Sequence, residues 1–94
     1  MTLNLHLLRI FTSVAEHNSF SRAAHALYIS QPAVSKGVQE LEEQVGLPLL
    51  DRSHRTLALT EAGILLYQYA QRLFASSRLL KLHWNSFRDS NAGI

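Results

Sequence analysis

Apolar residues along this chain recur mainly at intervals of three and four, the spacing that gives a helix one buried face. Leu5, Leu8, Phe11, Val14 and Ala15 follow it and predict a first helix of roughly 14 residues that stops near His17 and Asn18. Ser19 has the side chain of an N-cap, and after it Phe20, Ala23, Ala24 and Leu27 form the inward face of a short second helix. The small Ala23 and Ala24 let another helix come close. "YIS" has room only for a turn, and Ser30 ahead of "QPA" reads as the cap of a third helix. Pro32 falls in its first turn, where a missing N–H loses no intrahelical partner. Val34, Val38, Leu41 and Val45 then make one stripe along a helix of about residues 31–46, and Gly46 suits the left-handed position that closes it.

Two short runs, "LPLLDR" and "TLALT", alternate only in part and flank "SHR", which predicts a hairpin of two brief strands. Thr60 next caps a last helix with Glu61 in its first turn, and from Ala62 to about Phe87 nothing interrupts it apart from the early Gly63. At ~1.5 Å per residue that helix is roughly 40 Å long, more than the body of so small a domain, so much of it must project. Leu66, Tyr69, Leu73, Leu80 and Phe87 form one stripe on it, while Leu65, Phe74 and Trp84 lie off that stripe. A helix apolar on more than one side is buried on two sides, and a second copy of the chain is the simplest partner. The expected dimerisation residues are Leu66, Tyr69, Leu73, Leu80, Trp84 and Phe87.

Composition narrows the function classes. Ninety-four residues at 47% apolar content make one small domain with a modest core, and the absence of cysteine excludes a disulfide framework, a thiolate metal site and a zinc finger. The start "MTLNLHLLRIF" lacks the basic segment and cleavage site of a signal peptide, and no apolar run approaches the ~20 residues of a membrane span, so a cytoplasmic protein without membrane contact is expected. His6, His17, His25, His54 and His83 show no metal-ligand spacing. Ser, His and Asp all occur, but without a nucleophile elbow or a phosphate-binding glycine loop, so neither an enzyme nor a cofactor is expected.

A net charge of +2 says little, whereas its placement says more. Between Glu16 and Glu40 there is no acid, although His17, Arg22, His25 and Lys36 lie there, and "RSHR" at 52–55 is followed by no acid until Glu61. The leading half of the third helix is therefore free of carboxylates, and its N–H groups and positive dipole end suit a polyanion. There Gln31, Ser35 and Lys36 have the chemistry to reach base edges or phosphates. The acidic half, with Glu40, Glu42 and Glu43, points away. By itself a lysine such as Lys36 on an exposed helix face is more often solvated than a DNA contact, and Arg52 has Asp51 and Glu61 as alternative surface partners.

The element order is mainly α and is that of a winged helix-turn-helix: three helices and a short β-hairpin wing, then a long C-terminal dimerisation or linker helix. Ser19, the Ala23–Ala24 pair, Leu27, "SQPAVS", Leu41, Glu42, "GLPLL", Arg52, Arg55 and "LTEAG" together resemble the N-terminal DNA-binding domain of LysR-type transcriptional regulators, over nearly the whole chain. The resemblance implies sequence-specific binding of double-stranded DNA, with the third helix in the major groove contacting bases or backbone through Gln31, Pro32, Ala33, Ser35 and Lys36. It implies a wing, Arg52, Ser53, His54 and Arg55, at the flanking backbone or minor groove. It also implies a homodimer formed by antiparallel last helices on an interrupted inverted repeat, or a tetramer in a full-length protein.

Family members ordinarily continue into an effector-binding domain, so the resemblance makes this chain a fragment, reached by a small-molecule effector only through the absent C-terminal domain. The expected division is 1–60 for the winged domain, 61–88 for the linker helix and 89–94 for the start of the hinge. The rival reading is a winged-helix protein-interaction module that binds no DNA, whose mark would be acids on the leading face of the third helix. Two residues depart from the family pattern. Leu50 stands where phenylalanine is common, a change that should only repack the base of the wing. Gly37 lies inside the recognition helix, where it costs ~1 kcal/mol relative to alanine, and a close approach to DNA backbone or mere local tolerance are the readings open to it.

Overall fold

Asn4 opens the fold: its Oδ1 accepts the N–H groups of His6 at 2.9 Å and Leu7 at 3.3 Å, capping α1, Leu5–His17. In this computed structural model residues 3–53 and 55–92 are described, and beyond residue 76 the backbone alone, Arg88 excepted. Helix α1 ends on Asn18 at φ 51°, a left-handed position that asparagine tolerates. Its buried residues include Leu7, Leu8, Ile10, Phe11 and Val14, whereas Leu5, expected on the inward stripe, is 57% exposed. The buried arc is broader than one stripe because α1 is packed by three later helices at once.

The second and third helices, α2 (Phe20–Leu27) and α3 (Gln31–Val45), begin at serine caps. Ser19 Oγ accepts from Arg22 N–H at 3.1 Å, and Ser30 Oγ accepts from Ala33 N–H at 3.2 Å. Helix α2 buries Ala23 and Ala24 and stops at Tyr28, φ 58°; there Tyr28 N–H donates to His25 O and Ile29 N–H to Ala24 O, the double bond of a Schellman turn. Helix α3 buries Val34, Val38 and Leu41 completely, leaves Val45 half-buried, and closes at Gly46, φ 81°.

Gly37 is buried as well, on the α1 side of α3 rather than towards any ligand, so the backbone approach that accounts for it is to Ile10 and not to DNA.

The wing is shorter than the two sequence runs suggest. Strand β1, Leu50–Asp51, pairs antiparallel with β2, Ala58–Leu59, with Leu50 opposite Leu59. Its base is tied down from α3: Glu42 Oε2 accepts the N–H groups of Leu49 at 2.7 Å and Leu50 at 3.4 Å. Those two amides precede or begin the strand and need partners outside the ladder. Glu42 thus has a structural task that its place in the acidic half of the helix does not reveal.

Thr60 joins the wing to the last helix, α4, Glu61–Ala92: its Oγ1 accepts from Gly63 N–H at 3.0 Å and donates to Pro48 O at 2.7 Å. Helix α4 runs past Phe87 and through residues 89–92, where the start of a hinge was expected. Its 32 residues stretch roughly 48 Å at ~1.5 Å each, along a molecule whose longest dimension is 59 Å. Ala70 of α4 and Leu49 complete a core centred on Phe11, Val14, Val34, Val38 and Leu41.

Candidate nucleic-acid interface

The two faces of α3 differ completely. Val34, Gly37, Val38 and Leu41 are buried, while Gln31, Pro32, Ala33, Ser35 and Lys36 are all exposed. Because the inner stripe is locked into the core, the outer residues are held at fixed angles on a rigid element rather than on a loop. Ser30 is committed to capping, so its hydroxyl serves the helix first. Lys36 Nζ lies 3.9 Å from Glu40 Oε1, an i,i+4 pair at 78% and 46% side-chain exposure. Such a pair is weak in water, and its ammonium exchanges readily for a phosphate. On α2, Arg22 and His25 are exposed too, so basic side chains flank the turn that leads into α3.

In the wing Arg52, Ser53 and Arg55 are exposed, and His54 lies outside the described residues. Asp51 Oδ1 accepts both the N–H and the hydroxyl of Ser53, a local turn that orients the hydroxyl back into the wing. The Arg52 guanidinium sits over the Phe20 ring, 5.2 Å from its centroid, a contact between wing and α2 that the sequence reading had not anticipated. Only the fold brings these two positions together. The two wing arginines therefore differ: Arg52 is braced by an aromatic face, and Arg55 is exposed in the loop between the strands.

On α4 the inward side is set by Gly63, where a Cβ would fall 2.1 Å from Leu49 O. Ala70 lies in the core, and Ala62, Leu66, Tyr67 and Phe74 pack against it. Leu66, expected at the dimerisation surface, is thus half-buried within its own domain, since it lies within one turn of Gly63. The outward side carries Ile64, Leu65, Tyr69 and Leu73, exposed by 48%, 55%, 60% and 44%. Of these, Tyr69 and Leu73 belong to the expected dimerisation set. Leu80, Trp84 and Phe87 lie outside the described side chains. The Arg9 guanidinium stacks 4.5 Å from the Phe74 ring centroid, a contact that helps fix the direction in which α4 leaves the domain. Among the described residues no three His, Asp or Glu side chains gather to hold a metal ion, and no helix is long and apolar enough to cross a membrane.

Residues 5–64 match the family model described as bacterial regulatory helix-turn-helix protein, lysR family. A RuBisCO operon transcriptional regulator of Allochromatium vinosum is 40% identical over 93 residues, covering 99% of this chain and 31% of that protein. A probable RuBisCO transcriptional regulator of Cyanidioschyzon merolae is 51% identical over 75 residues, covering 80% of this chain and 25% of its own length. The chain therefore spans about a quarter to a third of these curated relatives. Among solved structures, the BenM DBD in complex with catB site 1 DNA superposes with a TM-score of 0.84 at 36% identity, covering 90% of this chain and 96% of that one. Full-length BenM gives a TM-score of 0.76 at 40% identity over 83% of this chain and 26% of its own. With its exposed recognition helix, its two-stranded wing and a match over residues 5–64, the chain belongs to the lysR family of bacterial regulatory helix-turn-helix proteins and carries that family's winged helix-turn-helix DNA-binding domain.

Proposed function

We propose that this chain reads double-stranded DNA by sequence, placing the leading half of α3 in the major groove and the wing against the flanking backbone or minor groove. One observation carries the reading: the leading exposed turns of α3 offer Gln31, Ser35 and Lys36 with no carboxylate before Glu40, which pairs with Lys36, on a helix whose opposite face buries Val34, Val38 and Leu41. An amide and a hydroxyl donate and accept hydrogen bonds without adding charge, which suits base edges, while Lys36, Arg52 and Arg55 suit phosphates. That the similar BenM domain was solved in complex with DNA supports DNA as the ligand.

The functional unit is a homodimer paired through the outward face of α4, which sets two recognition helices one or more DNA turns apart and makes the site an interrupted inverted repeat. Residues 1–60 form the reading domain and the helix from residue 61 the linker, with the hinge to an effector-binding domain beyond Ala92 in a longer protein. That protein is a transcriptional regulator rather than an enzyme, in keeping with the names of its relatives, and takes its small-molecule effector through that further domain.

Selection of bound duplexes from a random DNA pool tests this directly. The expected outcome is enrichment of two inverted half-sites with a fixed spacer. A pool that stays random after repeated selection, from folded protein, would remove sequence-specific binding.

A further inference from the structure

Tyr28 is set apart by two observations. It is 93% exposed, the highest value among the exposed large hydrophobic residues described, and its backbone is left-handed at φ 58°, ψ 40°. An L side chain with a Cβ is disfavoured there, and glycine or asparagine ordinarily fills the position after a helix. The two Schellman hydrogen bonds of the turn offset part of that cost through the backbone, but they would form equally with glycine, and the phenol makes no hydrogen bond or ring contact among the described residues. Its place is also particular. Tyr28 stands two residues ahead of the Ser30 cap of α3 and three ahead of the exposed Gln31, and follows the exposed Arg22 and His25 of α2.

We infer that Tyr28 is a DNA-backbone contact, its ring lying along a deoxyribose and its hydroxyl donating to a phosphate oxygen at the rim of the groove that α3 enters. This rests on the DNA-reading function proposed above. A helix entering the groove by its N-terminus brings the preceding turn to the groove wall, where sugar and phosphate are the nearest partners. The rigid ring pairs an apolar body with a polar tip and has few torsions to freeze on binding. Being uncharged, Tyr28 steadies the domain on any duplex without releasing a counterion, unlike Lys36 or Arg55.

The test uses Tyr28→Gly and Tyr28→Phe, titrated against a selected duplex and a random one over a range of salt. Glycine relieves the left-handed backbone, so the melting temperature of Tyr28→Gly should hold or rise while its affinity for both duplexes falls about tenfold, the scale of a lost bond to a charged acceptor. Tyr28→Phe should show most of that loss, and neither variant should change the salt slope. Wild-type affinity in either variant, or a slope altered by one unit, overturns the contact. Failure of the wild-type chain to bind any duplex would instead overturn the DNA reading, so the two failures are distinct.

Discussion

Ile10 and Gly37 meet where α1 and the recognition helix cross: a Cβ on Gly37 would stand 2.8 Å from Ile10 Cδ1 and 3.3 Å from Ile10 Cγ2. The glycine lets α3 seat closely on α1 and so fixes the depth at which its outer face is presented. Alanine at this position gains ~1 kcal/mol of helix propensity but meets both methyl groups. Cδ1 can swing away, whereas Cγ2 is fixed by the β-branch. Gly37→Ala should therefore lose no more than about 1 kcal/mol. Combined with Ile10→Val, which removes Cδ1, the double variant should be more stable than the sum of the single changes. A double-mutant cycle by chemical denaturation measures this, and strict additivity would mean that the two residues do not constrain each other.

Gly63 should be far less forgiving. There a Cβ would lie 2.1 Å from the carbonyl oxygen of Leu49, and this neighbour is backbone, held by Thr60 N–H at 3.0 Å. Gly63→Ala should destabilise the domain by about 1–3 kcal/mol despite alanine's better helix propensity. Thermal denaturation gives the sign, and an unchanged or raised melting temperature would show that α4 is not pressed against Leu49.

The wing depends on a charged clasp. Removing the Glu42 carboxylate would leave the part-buried Leu49 and Leu50 N–H groups without their acceptor, at a cost of roughly 1.5–3 kcal/mol for bonds to a charged group. Glu42→Ala should lower stability on that scale and speed hydrogen exchange at the Leu49 amide, with Glu42→Gln retaining part of the protection. Unaltered exchange at Leu49 in Glu42→Ala would rule the clasp out.

What could be read from the sequence was local. The hydroxyls of Ser19, Ser30 and Thr60, the glycine at 46 and the buried stripe of α3 declare themselves within a few residues, and the helices start and stop where they indicate. Chemistry across the fold was not readable. Glu42 looks like one of several surface acids until Leu49 and Leu50 are folded under it, and Arg52 looks like an ordinary wing arginine until Phe20 is brought beneath it. The partial burial of Leu66 was unreadable for the same reason, since it comes from the close contact of Gly63 with Leu49 and not from apolar spacing along α4.

The exposed and the half-buried positions of α4 should respond differently to substitution. Tyr69→Glu and Leu73→Glu alter the outward face of α4 and should turn a dimer into a monomer in sedimentation at micromolar concentration, with the winged domain still folded. Leu66→Ala should instead lower the melting temperature. A monomeric wild-type chain would refute pairing through α4, and dissociation of the dimer by Leu66→Ala at unchanged stability would place Leu66 at the pairing surface rather than in the core.

Base reading by the outer face of α3 is tested most directly by comparing Gln31→Ala, Ser35→Ala and Lys36→Ala on a selected and a random duplex. Each variant must first be shown to melt as the wild type does, as expected for residues outside the Val34, Val38 and Leu41 stripe. Gln31→Ala and Ser35→Ala should each lower specific affinity by roughly 1–3 kcal/mol and leave nonspecific binding nearly intact, whereas Lys36→Ala should weaken both. Equal losses on the two duplexes for folded Gln31→Ala would mean that α3 meets only phosphate, and would contradict its role as the sequence-reading helix.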